Sequence, residues 1–218
     1  MTRSIFFFSV LIFLTVPGYS QGSICKEFSH EDFGGCSSRS ISTCPREFSS
    51  ALNTALLFYP ELKDVSIKFR YADIRTTMET RPVLLSTIFG KRSYLIFIDT
   101  ITNGEGVLLK DVPFNAQVGI IGHELSHISD YEKRNLFQMV KLGLHYKLHP
   151  SFASYEKSID QLTVKKGLGW QILCWSDFII NHSNASENHK AFKRRYYLSP
   201  SEIEYLIAEN VQYHSETN

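Results

Sequence analysis

The spacing of apolar residues divides the chain into an early part with strand periodicity and a later part with helical periodicity. Residues 65–71 alternate apolar and polar side chains, which predicts a strand. Residues 82–89 and 93–99 are predicted as two more strands, joined as a hairpin by a turn at 90–92. A short helix is predicted at 49–58, ahead of these strands.

From residue 113 onward, apolar positions recur close to the 3.6-residue period of a helix. The predicted helices cover 113–131, 136–146, 154–166, 170–181 and 200–211. Pro113 suits a first helical turn, and Ser199 with Glu202 forms a capping-box sequence at the start of the last helix. Because the strands come first and the helices follow, the sequence predicts an α+β fold, with a small antiparallel-containing sheet ahead of a helical half.

The first twenty residues have the layout of a secretory signal peptide. Arg3 precedes an almost unbroken apolar run at 5–16, and Pro17 ends this run before the small residues Gly18 and Ser20. The run has 12 residues, whereas a membrane-spanning helix needs roughly 20. An uncleaved anchor helix is therefore the less favoured alternative.

Cleavage after Ser20 would leave residues 21–218 as a single domain with a cysteine-containing segment at 21–47. The chain of 218 residues has 23 Lys and Arg against 22 Asp and Glu, and the loss of Arg3 gives 22 − 22 = 0. A composition of 43% hydrophobic and 21% charged residues favours a globular protein and, with this charge balance, disfavours a nucleic-acid binder. We expect an exported protein, secreted or periplasmic, without a membrane span in the mature chain.

The four cysteines suit an oxidising compartment. Cys25, Cys36 and Cys44 cluster near the start of the predicted mature chain, and Cys174 lies far from them. Four cysteines allow three full pairings, and the sequence does not choose among them. Their spacing does not match a C-x-x-C zinc motif. We expect one or two disulfides that tie down the segment 21–47.

The strongest chemical motif is His-Glu-Leu-Ser-His at 123–127, inside the predicted helix 113–131. Residues four apart lie on one helix face, so His123 and His127 can direct ring nitrogens at one divalent metal, most often zinc. Glu124 is the predicted general base, because it can take a proton from a metal-activated water without binding the metal.

A catalytic zinc site needs a third protein ligand. The H-E-x-x-H-x-x-G-x-x-H class is excluded, because Asp130 and Lys133 stand where that class has Gly and His. Asp130 is interpreted as a solvated carboxylate. Glu156 and Asp160 form an E-x-x-x-D pattern on a later helix, which is weak alone but stronger after an H-E-x-x-H helix. Glu156 is the predicted third ligand, and Asp160 is predicted to accept the other N–H of a ligating histidine.

These residues resemble the gluzincin metallopeptidases, and more narrowly the peptidases related to the CAAX prenyl proteases. The matching positions are His123, Glu124, His127, Glu156 and Asp160, and Gly-Leu-Gly-Trp at 167–170 is similar to the turn after the family's second helix. The resemblance covers about residues 114–173. It implies a zincin-like fold, zinc-dependent peptide-bond hydrolysis and an extended peptide substrate that pairs with a sheet edge, here matched by position to residues 93–100. Members are often membrane-embedded, and this chain would be a minimal soluble version.

The sequence leaves several points open. The group that stabilises the oxyanion is not selected among His145, Tyr146, His149, Tyr155, Arg194, Tyr196 and Tyr197, although Tyr155 is disfavoured because it would point away from the ligand face. The basic run 193–195 is interpreted as a solvated helix end, and Asn181 and Asn184 begin glycosylation sequons. The alternative function is a non-catalytic secreted binding domain with a structural or vestigial metal site.

Overall fold

The computed structural model describes residues 28, 41–43, 45–83, 86, 90–101, 105–148 and 152–213, without the side chains of 41–42 and 145–148. The predicted signal segment 1–20 lies outside the described residues, as does most of the segment 21–47 with Cys25, Cys36 and Cys44. Within the part of the chain that is described, none of the helices combines the length and apolar character needed to cross a membrane.

The sheet contains four described strands, β1 (Ile41–Ser42), β2 (Ser66–Ala72), β3 (Met78–Pro82) and β4 (Ser93–Asp99), in the order β1-β2-β4-β3. The β1–β2 and β2–β4 pairs are parallel, and β3 runs antiparallel to β4. Together with the helices that follow, this mixed sheet confirms the predicted α+β class.

Two predictions about the strands are wrong. The strand that pairs with β4 lies at Met78–Pro82, where Met78 and Thr80 are buried. Of the strand predicted at 82–89, the described residues Val83 and Ser86 are not in a strand, and 84–85 and 87–89 lie outside the described residues. Residues 93–100 were matched to the substrate-binding edge, but β4 has β2 on one side and β3 on the other. Among the described strands, the two edges of the sheet are β1 and β3, so the edge strand that packs on the H-E-x-x-H helix is β3 and not β4.

The helices are α1 (Ser49–Leu56), α2 (Phe114–Lys133), α3 (Leu136–Leu148), α4 (Ala153–Thr163), α5 (Gly169–Asp177), α6 (Glu187–Tyr196) and α7 (Pro200–Glu209). Short 3₁₀ turns lie at Arg46–Phe48, Pro60–Leu62, Leu109–Asp111 and Val211–Tyr213. A π-helical turn at Val164–Leu168 separates α4 from α5, and Gly167 takes a φ of +104° there, which a residue with a side chain rarely adopts. The last helix begins with the predicted capping box of Ser199 and Glu202.

Helix α2 is the centre of the molecule and is buried along most of its length. Its side chains contact α1, α4, α5 and β3. At Gly119, α5 comes so close that a Cβ atom would lie 2.1 Å from the carbonyl oxygen of Gln171. Arg92, just before β4, donates hydrogen bonds to the carbonyls of Tyr131, Glu132 and Arg134 and so satisfies the end of α2.

Candidate metal centre

The H-E-x-x-H residues and the E-x-x-x-D residues face each other across the contact between α2 and α4. His123 and His127 lie one turn apart on α2, and Glu156 and Asp160 lie one turn apart on α4. All four side chains are buried. Two amphipathic helices that pack along these faces therefore bring the four groups to one place.

Three of these side chains converge tightly enough to hold a metal ion. Their candidate ligand atoms all lie within 4.8 Å of one another. His123 Nε2 is 3.2 Å and His127 Nε2 is 3.5 Å from the same oxygen, Oε2 of Glu156. Tetrahedral zinc with bonds of about 2.0–2.1 Å separates its ligand atoms by roughly 3.3–3.4 Å. The observed spacing therefore fits a divalent metal between the three side chains.

Asp160 contacts the ring of His123 on the side away from Glu156. Its Oδ1 is 2.8 Å from His123 Nδ1, and its Oδ2 accepts a hydrogen bond of 2.8 Å from the backbone N–H of Leu198. Asp160 is thus held in place by the chain that follows α6, and it fixes the Nδ1–H tautomer of His123, which leaves Nε2 free to bind a metal.

A network of buried hydroxyl groups keeps α2 and α4 in register. Tyr59 donates a hydrogen bond of 2.7 Å to the carbonyl of Gly122, and its hydroxyl lies 2.8 Å from Ser126 Oγ. Ser126 Oγ is 2.9 Å from Thr163 Oγ1, one turn beyond Asp160 on α4. These contacts tie the two helices together beside the histidines.

The charges of the metal-free site favour a bound cation. His123 has a carboxylate on each ring nitrogen, and a neutral imidazole can donate to only one of them. Burial opposes protonation of His123, but the hydrogen bonds and charges of Asp160 and Glu156 outweigh it and raise the pKa to about 10. The pKa of Glu156 is well below its usual value. Burial raises this pKa, but the nearby His127 and His123 lower it by a larger amount.

Glu124 supplies a carboxylate oxygen that fits the role of a general base. The residue is 5% exposed, and its Oε2 has no hydrogen-bond partner in the described part of the chain. His127 Nδ1 is likewise buried without a partner among the described residues. A buried carboxylate oxygen without a hydrogen-bond partner costs free energy. Such an oxygen therefore indicates a position where a ligand or a water molecule donates the missing hydrogen bond.

Lys193 is a buried lysine that interacts electrostatically with this group of acids. It is 5% exposed, and its ammonium lies 4.2 Å from the ring centroid of Tyr197 and 5.5 Å from that of Trp175. When His123 is neutral, as binding of a metal to its Nε2 requires, the formal charge of Lys193 offsets one of the three carboxylates at Glu124, Glu156 and Asp160, which leaves two negative charges. A divalent cation would neutralise that remainder.

The burial of Lys193 corrects its interpretation as part of a solvated helix end, whereas Arg194 and Arg195 are exposed as expected. The reason is the helical spacing on α6: Lys193 follows the buried His189 by four residues, so the two share a face, and Tyr197 just past the helix end packs on the ammonium. This spacing was a signal in the sequence that the charge run 193–195 concealed.

The metal-facing side chains open into a cleft of about 630 Å³. One wall is the edge strand β3 with the preceding residues 73–76, and Thr80 donates a hydrogen bond of 3.3 Å to the carbonyl of Glu124. The other wall carries Phe152, Phe192, Tyr196 and Tyr197. The site is therefore accessible to a chain-like ligand that lies beside β3.

Among the candidate oxyanion-stabilising groups, Tyr197 lines the cleft and has its ring centroid 5.6 Å from that of His123. Burial, followed by the charges of Glu156 and Glu124, raises the pKa of Tyr197 well above its ordinary value, so its hydroxyl remains a donor. Tyr196 also lines the cleft, and Arg194 is exposed. His149 and the side chains of His145 and Tyr146 lie outside the described residues.

The Tyr155 hydroxyl contacts Asp130, and the Tyr155 ring packs against His127, which corrects the expectation that Tyr155 points away from the ligand face. The Tyr155 hydroxyl donates a hydrogen bond of 2.9 Å to Asp130, and Arg134 binds the same carboxylate at 2.6 and 3.1 Å. Asp130 was expected to be solvated, but these contacts use it to fix the end of α2. The Tyr155 ring packs 5.5 Å from the ring of His127 and so restricts it.

No protein-family model, curated protein or solved structure matches this chain. The function is therefore argued from the geometry of the site.

Proposed function

We propose that this chain is an exported zinc-dependent metallopeptidase with a zincin-like fold, similar to the gluzincins related to the CAAX prenyl proteases. The observation that carries the proposal is the convergence of His123 Nε2 and His127 Nε2 on one oxygen of Glu156, beside the unpaired carboxylate of Glu124 in an open cleft. Zinc is the metal of choice because two imidazoles and one carboxylate with an open fourth position form its usual catalytic ligand set.

When bound, zinc would polarise the substrate carbonyl and make water acidic near neutral pH. The residues of the chain supply the other parts of the reaction. Glu124 accepts the proton of the attacking water and passes it to the leaving amine. Asp160 holds His123 in the correct tautomer. Tyr197 donates a hydrogen bond toward the oxygen on which negative charge develops.

The substrate is an extended segment of peptide or protein. The open edge of β3 forms one wall of the cleft, and an added strand would satisfy its free backbone groups. We expect the cleaved peptide bond to lie near Glu124, because Thr80 of β3 contacts the backbone of that residue.

The first test compares metal content with hydrolysis in residues 21–218. We expect about one zinc per wild-type chain by elemental analysis and a sharp loss of zinc in Glu156→Ala, because a ligand is removed. Glu124→Gln should keep its zinc and lose roughly 10²–10⁴-fold in kcat/KM on a peptide library, the range for a lost general base. Glu204→Gln, an exposed isosteric change on α7, should alter neither quantity.

The outcomes separate this proposal from a non-catalytic binding domain. If the wild type binds zinc but shows no hydrolysis that depends on Glu124, a structural or vestigial metal site would be favoured. Loss of zinc in Glu124→Gln would contradict its role as a base. Full retention of zinc in Glu156→Ala would exclude Glu156 as the third ligand.

A further inference from the structure

A second, more apolar groove continues from the metal cleft along the same edge strand. It has a volume of about 480 Å³ and lies between β3, Tyr131 and helix α3. Glu79, Thr80 and Arg81 line both spaces, so the groove adjoins the cleft along β3. We name this second space the α3 groove.

Apolar side chains of α3 line the groove. Val140 is 45% exposed and Leu144 is 54% exposed, and they lie one turn apart, with Met139 buried beneath them. The charged residues on the β3 side are paired with each other, since Arg81 donates to Glu79 at 2.6 and 2.9 Å. An apolar side chain is therefore the ligand that this surface fits, because burial of its surface is favourable and no charge is left to pair.

The backbone of β3 directs a bound peptide from the cleft into this groove. Opposite residues of an antiparallel pair alternate between bonded and non-bonded positions. Asp99 N–H donates to the carbonyl of Thr77, and Val83 N–H donates to that of Ser93. Odd-numbered residues of β3 therefore pair with β4, and Thr80 turns its N–H and C=O to the open edge.

A peptide that pairs with Thr80 passes the metal site and reaches the groove within a short distance. Strand residues rise about 3.3 Å each and alternate in direction. The residues that follow Thr80 on β3 end at Pro82, which has no N–H, so pairing stops there. The peptide side chain that enters the α3 groove thus belongs to a residue within about three positions of the cleaved bond.

We propose that the α3 groove is a specificity site, which selects substrates with a large aliphatic or aromatic residue within three positions on one side of the cleaved bond. This proposal rests on the proposed peptidase function. It names one class of substrate, a peptide with an apolar side chain at that position, and it assigns the selection to α3, whose described side chains are not among the candidate metal ligands.

Gly143 provides a sharp test, because it lines the groove and has open space around it. A Cβ atom built on Gly143 meets no heavy atom within 4 Å. Its position in a helix also means that any larger residue except proline raises helix propensity. Gly143→Trp should therefore fold and fill the groove. Gly143→Ala is the matched control on the backbone, and Phe137→Ala is a control for an exposed apolar residue of α3 that does not line the groove.

The experiment profiles cleavage of synthetic peptides that vary one position at a time among Leu, Phe, Ser and Asp. We expect the wild type to favour Leu or Phe at one position within three residues of the cleaved bond. Gly143→Trp should lower kcat/KM at least tenfold for the best peptide, but less than threefold for its Ser counterpart. Gly143→Ala and Phe137→Ala should keep the wild-type preference. No apolar preference, or an equal loss on both peptides, would overturn the proposal.

A binding assay separates failure of the specificity site from failure of the peptidase. Fluorescent versions of the Leu and Asp peptides are titrated with zinc-loaded Glu124→Gln protein, with and without Gly143→Trp. Tenfold weaker binding of only the Leu peptide in the double variant supports the groove, even if the wild type hydrolyses nothing. Equal binding of both peptides contradicts it. A dimer that Gly143→Trp disrupts, with unchanged peptide selection, would assign the groove to a second copy of the chain instead.

Discussion

At the scale of single residues, the site combines buried acids with the buried Lys193, which the sequence pattern predicted to be exposed. Burial lowers the pKa of Lys193 from 10.5 to about 8, although Glu156, Glu124 and Asp160 partly oppose this shift. The ammonium contacts aromatic rings, and no salt bridge to a carboxylate accompanies it among the described contacts. The folded protein therefore holds a charge that is more costly there than in the unfolded chain.

The pH dependence of stability should reveal this cost in metal-free protein. Between about pH 8 and 10.5, the unfolded chain binds more protons at Lys193 than the folded chain does. The contribution of Lys193 to the free energy of unfolding should therefore rise with pH in this window by roughly 2–3 kcal/mol, while the raised pKa of His123 acts in the opposite direction in both proteins. Urea unfolding from pH 7 to 10 measures the rise, because the free energy of unfolding of the wild type minus that of Lys193→Met should increase with pH.

The matched control for this prediction is Lys141→Met, which changes an exposed lysine of α3. It should unfold in parallel with the wild type at every pH. A stability difference between wild type and Lys193→Met that stays constant from pH 7 to 10 would show that Lys193 is not strained by burial.

At the scale of elements, the position of α2 depends on how closely α5 approaches it. Gly119 allows the backbone of α5 to contact α2, and Gly122 allows Leu168 to pack one turn further on, where a Cβ would lie 2.5 Å from Leu168 Cδ1. The histidines follow on the same helix, so this contact also sets their distance from α4. Small residues at a helix crossing determine how near two helices can lie.

Gly119→Ala should therefore be strongly destabilising, in contrast to Gly143→Ala. The new methyl group would meet Gln171 backbone atoms at 2.1 and 2.4 Å, and forced separation of packed elements costs about 1–3 kcal/mol or more. Gly143→Ala meets nothing and should be neutral or stabilising by up to about 1 kcal/mol. Urea unfolding of both variants measures the difference, and equal stability would contradict the close crossing.

At the scale of the whole molecule, the proposed metal joins two helices that are distant in sequence. His123 and His127 come from α2, and Glu156 comes from α4. A ligand that binds only the folded protein stabilises it in proportion to its concentration above Kd. Metal binding should therefore be visible as a change in thermal stability, whether or not the protein is an enzyme.

Zinc at about 100 times its Kd should stabilise the fold by about 2.7 kcal/mol. For a chain of this size, this corresponds to an increase in Tm of roughly 5–10 °C, which a chelator reverses. Glu124→Gln should show the same increase, because the residue is not a ligand. Glu156→Ala should show little of it. A zinc-induced shift that is lost in Glu124→Gln but kept in Glu156→Ala would reverse the two assigned roles.

The sequence by itself determined the α+β class, most helices and the group of residues that converge at the site. Helical spacing puts His123 with His127 and Glu156 with Asp160 on single faces, because four residues make about one turn. These are local relations, so a linear pattern records them.

Only the tertiary structure decided which strand is the open edge, that Lys193 is buried, that Tyr197 lies beside His123 and that the α3 groove continues the cleft. Each of these depends on contacts between segments far apart in the chain. The short strand Met78–Pro82 has little alternation of its own and is defined by pairing with β4 and by packing on α2. Such features have no local period, and packing alone selects them.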